Sequence, residues 1–139
     1  LSLLNIGNDE VRLNLVPVDF VINSLAALAD EPKVLGKTLQ LADPAPLTTR
    51  ELFNTISESI SGRRALITVP ARLVEFTLML PPSPKITGLP HYAVPYFFLK
   101  QLYDSSEAQQ QLGDHRIICP SFASYVDNIV AFAAKHPVV

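Results

Sequence analysis

Two periods of apolar and polar positions run along this chain, and the switches between them mark its elements. Residues 11–18 (VRLNLVPV) alternate at first and then turn wholly apolar, as a strand entering a buried position does. Immediately afterwards Phe20, Val21, Leu25 and Leu28 recur at helical spacing. Asp19 is placed to cap that helix by accepting first-turn amides, and its charge suits the positive helix end. Pro32 ends the helix, because proline pushes the residue before it, Glu31, out of helical geometry. Gly36-Lys37 leads into a second short strand, Thr38 to Ala42, and Asp43-Pro44-Ala45-Pro46 makes a rigid connection. Thr48-Thr49-Arg50-Glu51 has the spacing of a capping box, with Thr48 as N-cap and Glu51 reaching back. The helix it starts carries Leu52, Phe53, Ile56 and Ile60 on one stripe and stops near Gly62. A third strand is expected at residues 64–69 (RALITV).

Pro70 suits the first turn of the next helix, Ala71 to Leu80, which is apolar around most of its circumference and so is buried or at an interface. Residues 81–95 form a loop whose prolines cut conformational freedom, which suits a fixed wall. Ser106 to Leu112 reads as a short polar helix closed by Gly113, Ile117 to Pro120 as an extended piece, and Phe122 to Lys135 as a last amphipathic helix. The pattern βαβαβα followed by helices is α/β, with few short strands and several helices. Parallel strands want both faces and both neighbours covered, so three strands read as one side of a larger sheet.

Composition sharpens this picture. With 48% apolar residues and a mean hydropathy of +0.25, the chain has material for a core and lies outside the disordered class. Lys and Arg number 11 against 13 Asp and Glu, and they are scattered, so the basic patch that nucleic-acid binding requires is missing. The single Cys119 excludes an intrachain disulfide framework and a multi-cysteine zinc site, and it fits a reducing, cytoplasmic compartment. No apolar run approaches the roughly 18 residues of a membrane span. Proline, at 12 of 139, is well above the average of about 5%. The chain opens on Leu1 inside an apolar stretch, without Met or signal peptide, which reads as a piece of a longer protein.

Motifs that carry chemistry are few. GxGxxG, GxxxxGK[ST], HExxH and GxSxG are all absent. His91, His115 and His136 stand apart without ligand spacing and read as surface or loop residues; no metal site is expected. Tyr96-Phe97-Phe98-Leu99-Lys100 is a YxxxK match with Ser83 upstream, a pair in which a lysine lowers a tyrosine pKa for proton transfer. Chance supplies about one such pair in seven chains of this composition, and a proline-rich loop precedes it, so it reads as coincidental. Arg12, opening the first strand, and Arg72, opening the apolar helix, can grip a carboxylate or phosphate in two-pronged fashion; a solvated or snorkelling arginine is the alternative at both. Asp43 reads as a turn residue satisfying local amides.

The order of segments LVPVDFVINSLAAL, GKTLQLADPAPLTTRELFNTISESISG and ITVPARLVEF, closed by DSSEAQQQLGDHRIICPSFASYVDNIVAF, resembles the C-terminal part of extended short-chain dehydrogenases/reductases. The branch it looks most like holds the NAD(P)-dependent epimerases and the male-sterility, fatty acyl-CoA reductase-like and thioester reductase-like proteins. The resemblance covers nearly the whole chain. It implies a Rossmann-type parent whose glycine-rich loop and catalytic Ser/Thr and Tyr-x-x-x-Lys lie outside these residues, so that residues 1–139 are a single substrate-binding fragment with no catalytic or cofactor residue of its own. NAD or NADP is implied for the parent, and a small-molecule substrate, nucleotide- or CoA-linked, for this region. Arg12 and Arg72 match positions that face substrate phosphates, with Phe76 and Tyr96, beside Leu73, Leu80 and Phe97, as the apolar wall. The expected partner is the missing nucleotide-binding half or a second copy. Two other readings stay open: a non-catalytic binding or dimerisation module of the same fold, and a self-contained enzyme using Tyr96 and Lys100.

Overall fold

The computed structural model describes residues 4–5, 9–64, 67–68 and 99–136. Along the chain these are strand β1 (Leu4–Asn5), helix α1 (Val18–Leu28), a 3-10 turn (Pro32–Val34), helix α2 (Thr49–Ser61), strand β2 (Ile67–Thr68), helix α3 (Ser106–Asp114), a second 3-10 turn (Phe122–Ser124) and helix α4 (Val126–Lys135). The chain divides into two compact units, one of residues 1–13, 47–101 and 126–139 and one of residues 14–46 and 102–125.

In the first unit β1 and β2 pair in parallel, Leu4 opposite Ile67 and Asn5 opposite Thr68. The capping box forms as the sequence predicts: Glu51 N–H donates to Thr48 Oγ1 at 3.2 Å and Thr48 N–H donates to Glu51 Oε2 at 2.8 Å. Gly62 ends α2 with φ of 69°, a left-handed conformation that costs residues with a Cβ. The buried side of α2 differs from the expected stripe. Thr49, Leu52 and Ser57 are buried, whereas Ile60 is 54% exposed. The hydroxyl of Ser57 is satisfied there by the Arg63 carbonyl at 3.0 Å, which lets a polar residue face inward. Helix α4 packs against α2, and the Ser59 hydroxyl donates to Asp127 across that contact. The last helix is broken in two, because Tyr125 at φ −131° and ψ 0° separates the 3-10 turn from α4.

The second unit is built on Phe20, Leu28 and Leu112, with Val16, Val21, Val34, Leu39, Leu41, Ile117 and Cys119 packed around them. Burying such a side chain contributes about 1.5–3 kcal/mol. Phe20, Ser24 and Leu28 recur every fourth residue, so one face of α1 is held against this core. Ser24 is fully buried, and its Oγ has no hydrogen-bond partner among the described residues.

Several expected elements take another form. Asp19 does not cap α1: the helix starts two residues earlier, at Val18, Pro17 is the N-cap, and Asp19 sits in the first turn. Pro17 lacks an N–H, so its carbonyl begins the ladder, accepting from Val21 at 3.3 Å, at no cost in lost donors. The strand expected at 11–18 is reduced to a single antiparallel bridge, Arg12 opposite Thr48. Residues 38–42 form no ladder among the described residues, and of the expected strand at 64–69 the described Ile67 and Thr68 are paired. The regular structure among the described residues is therefore helical apart from a two-residue parallel pair and one bridge, and the expected α/β sheet is not assembled among them. Gly113 does not stop α3. The helix runs through it to Asp114, and Arg116 instead turns left-handed at φ 57° while Ile117 N–H closes on the Leu112 carbonyl at 3.0 Å. The helix expected at 71–80, the loop at 81–95 and Tyr96 lie outside the described residues.

Candidate functional site

Arg12 is the one predicted substrate-binding residue that falls within the described chain; Arg72, Phe76 and Tyr96 lie outside it. Its position is set by backbone bonds on either side. Thr49 N–H donates to the Val11 carbonyl at 2.8 Å, and Leu13 N–H donates to the Leu47 carbonyl at 3.1 Å. Because side chains alternate along an extended segment, Val11 is driven into the core, 2% exposed, and Arg12 is driven outward. The segment thereby sets an arginine beside the first turn of α2.

The carboxyl of Glu51 in that turn is held below the usual carboxylate range. The Thr48 backbone N–H is the largest cause, the Thr48 hydroxyl the next, and the Arg12 charge a smaller one. Two ion pairs flank this point: Arg50 Nε to Asp9 Oδ1 at 2.9 Å, and Lys100 to Glu10. The Lys100 ammonium, the second half of the YxxxK match, is thus engaged by an acid on the exposed surface, where it holds the Glu10 carboxyl low. The patch carries cations and carboxylates in alternation. An oxyanion that engages the Arg12 guanidinium does so against the field of Glu51.

A second constellation escaped the sequence reading. Asp43 is 7% exposed; its Oδ1 accepts the Ala45 N–H at 2.9 Å, the turn role expected of it, and its own N–H donates to Asn14 Oδ1 at 3.3 Å. Around it stand Cys119 and Tyr125, whose hydroxyl donates to the Leu15 carbonyl at 3.2 Å. Burial, with Asp43 second, pushes the Cys119 thiol up to about 11. Burial, then Cys119 and Asp43, raises the Tyr125 phenol as well. Both groups are therefore neutral near pH 7, and a protonated thiol is a poor nucleophile. No periodic signal links Asn14, Asp43, Cys119 and Tyr125, since a turn and a distant loop meet only in the fold.

Of the histidines, His115 Nε2 lies 3.6 Å from Glu31 and His136 stacks on Phe132 with ring centroids 4.5 Å apart; His91 lies outside the described residues. Among the described residues no group of three His, Cys, Asp or Glu is placed to hold a metal ion, and no helix is long and apolar enough to cross a membrane. A nicotinamide dinucleotide, implied by the sequence resemblance, does not fit the described helix starts. A pyrophosphate wants a glycine-lined helix N-terminus with open amides. Each of the four described α-helices instead has a carboxylate in its first turn: Asp19, Glu51, Glu107 and Asp127.

No protein-family model matches this chain, and neither does any curated protein. Among solved structures it is similar to the terminal R domain from the myxalamid PKS-NRPS biosynthetic pathway, with 21% sequence identity and a TM-score of 0.68. The match covers 94% of this chain and 34% of that one, so the 139 residues have the fold of about a third of that domain.

Proposed function

We propose that this chain is the C-terminal, substrate-binding region of an NAD(P)-dependent reductase of the extended short-chain dehydrogenase/reductase type. The parent protein transfers a hydride between the nicotinamide and a carbonyl or thioester carbon in the cytoplasm. The observation that carries this reading is the R-domain likeness over 94% of the chain, which agrees with the independent order of sequence motifs from Leu15 to Phe132. The acidic first turns of the described helices support a cofactor site on other residues of the parent.

In this reading Arg12 engages a phosphate of a CoA- or carrier-linked substrate, and Arg72, Phe76 and Tyr96 complete the pocket. The exposed position of Arg12 and its enforced outward direction support that role. The test is NAD(P)H oxidation by the protein at its native length with an acyl-CoA thioester. Arg12→Ala raises KM about tenfold, the value of one lost charged contact, with kcat little changed. Absence of any NAD(P)H binding or turnover by the native-length protein, with a stable oligomer in its place, refutes the reductase reading and leaves the non-catalytic module.

A further inference from the structure

The second unit is assembled from two pieces of chain, residues 14–46 and 102–125, which residues 47–101 separate in sequence. Bringing such distant pieces together costs loop-closure entropy, which their contacts have to offset. The apolar core between them is small, with Phe20, Leu28 and Leu112 at its centre. The ion pairs that join the pieces, Lys33 with Asp114 and Lys37 with Glu107, stand in solvent, and each is worth little. Less exposed side-chain hydrogen bonds gather at another place, where the chain enters and leaves the unit.

Asn14 is the first residue of the unit, Pro46 ends its first piece, and Tyr125 is its last residue. The Tyr125 hydroxyl donates to the Leu15 carbonyl at 3.2 Å, across 110 positions of sequence. Next to Leu15, Asn14 Oδ1 accepts the Asp43 N–H at 3.3 Å, and Asp43 Oδ1 accepts the Ala45 N–H at 2.9 Å. Pro44 and Pro46 stiffen the backbone on either side of Ala45, so this turn is a fixed anchor. The buried Phe122 ring meets the Tyr125 ring edge-on, with centroids 5.4 Å apart, which orients the phenol. The break in the last helix falls at the same residue. Three of the four points where the chain crosses the boundary of the unit are thus tied to one another. We propose that Asn14, Asp43 and Tyr125 form a clasp that fastens the second unit at these crossings, so that residues 14–46 and 102–125 open and close as one cooperative body. The Tyr125 hydroxyl is the bond of the clasp that joins one piece to the other. The proposal stands apart from the reductase reading.

Native-state hydrogen exchange on the 139-residue chain tests this. Tyr125→Phe and Asn14→Ala are the clasp variants, and Tyr103→Phe, which removes a hydroxyl from an exposed side chain, is the control. Each clasp variant speeds exchange by about tenfold, the worth of one hydrogen bond, in α1 and α3 together and leaves α2 as in the parent. Tyr103→Phe exchanges like the parent throughout. Rates that stay at the parent's values, or that rise beside the substituted residue alone, overturn the proposal. So does a rise of equal size in α2, which makes the loss a global one, or a control that matches the clasp variants. If Asn14→Ala does not fold, Tyr125→Phe decides alone, since it removes a single oxygen and keeps the ring against Phe122.

Discussion

Thr48 at the head of α2 makes three hydrogen bonds with Glu51. Its Oγ1 accepts the Glu51 N–H at 3.2 Å, its hydroxyl donates to Glu51 Oε2 at 2.9 Å, and its N–H donates to the same oxygen at 2.8 Å. Thr48→Ala removes the first two and leaves the third. Loss of a threonine N-cap costs about 0.5–2 kcal/mol, and the bond to Glu51 adds little because that carboxylate is solvent-screened. A total of about 1–1.5 kcal/mol lowers Tm by about 3–6 °C in a domain of this size. The acid dependence carries a second signature. The folded-state pKa of Glu51 lies below the ordinary value of 4.5, with the Thr48 N–H and hydroxyl as the main causes. The unfolded chain therefore takes up the proton first. The stability this group contributes is present above about pH 4.5 and is lost as pH falls through the folded-state value. Without the hydroxyl that contribution shrinks, so the cost of Thr48→Ala is largest at pH 7 and smaller at acid pH. Thermal and urea unfolding followed by circular dichroism at both pH values, with Thr48→Ser as the variant that keeps the hydroxyl, measures this. A Thr48→Ala protein that melts with the parent at pH 7 refutes the capping argument. A cost that does not change with pH refutes the electrostatic part of it.

The raised thiol of Cys119 makes two measurable statements. Iodoacetamide reacts slowly with it at pH 8 in the folded chain and at an ordinary rate in urea, whereas equal rates would show an accessible thiolate. Because the folded-state pKa lies above the ordinary 9.0, the folded state retains its proton longer, and stability falls as pH rises from about 9 toward 11. Cys119→Ala flattens that alkaline fall, and an unchanged slope contradicts the assignment. Ser24→Ala removes a fully buried hydroxyl without a described partner and puts the best helix former in α1. It is expected to raise stability by about 0.5–1.5 kcal/mol in urea unfolding, and a destabilised variant would show that Oγ is satisfied.

What the sequence determined by itself is the local structure. Thr48, Glu51 and Gly62 define α2 at both ends because a cap and a left-handed stop involve residues within one turn of each other. The turn role of Asp43 is legible for the same reason, since its carboxylate reaches only to Ala45. Elements whose identity depends on a distant partner were decided by the tertiary structure. Residues 11–18 have the pattern of a strand but find one bridging partner, Thr48, while Leu4 and Asn5 pair with residues more than sixty positions away. Residues 38–42 have no ladder among the described residues, because strand pairing requires a neighbour that sequence periodicity does not name. The stop of α3 moved from Gly113 to Arg116 because Ile117 packs against the Phe20–Leu28–Leu112 core and pulls the chain past the glycine. Arg12 shows both influences at once. Its residue type marked it as a candidate for anion binding, but only the bridge to Thr48 set it beside Glu51, whose carboxyl it helps hold low.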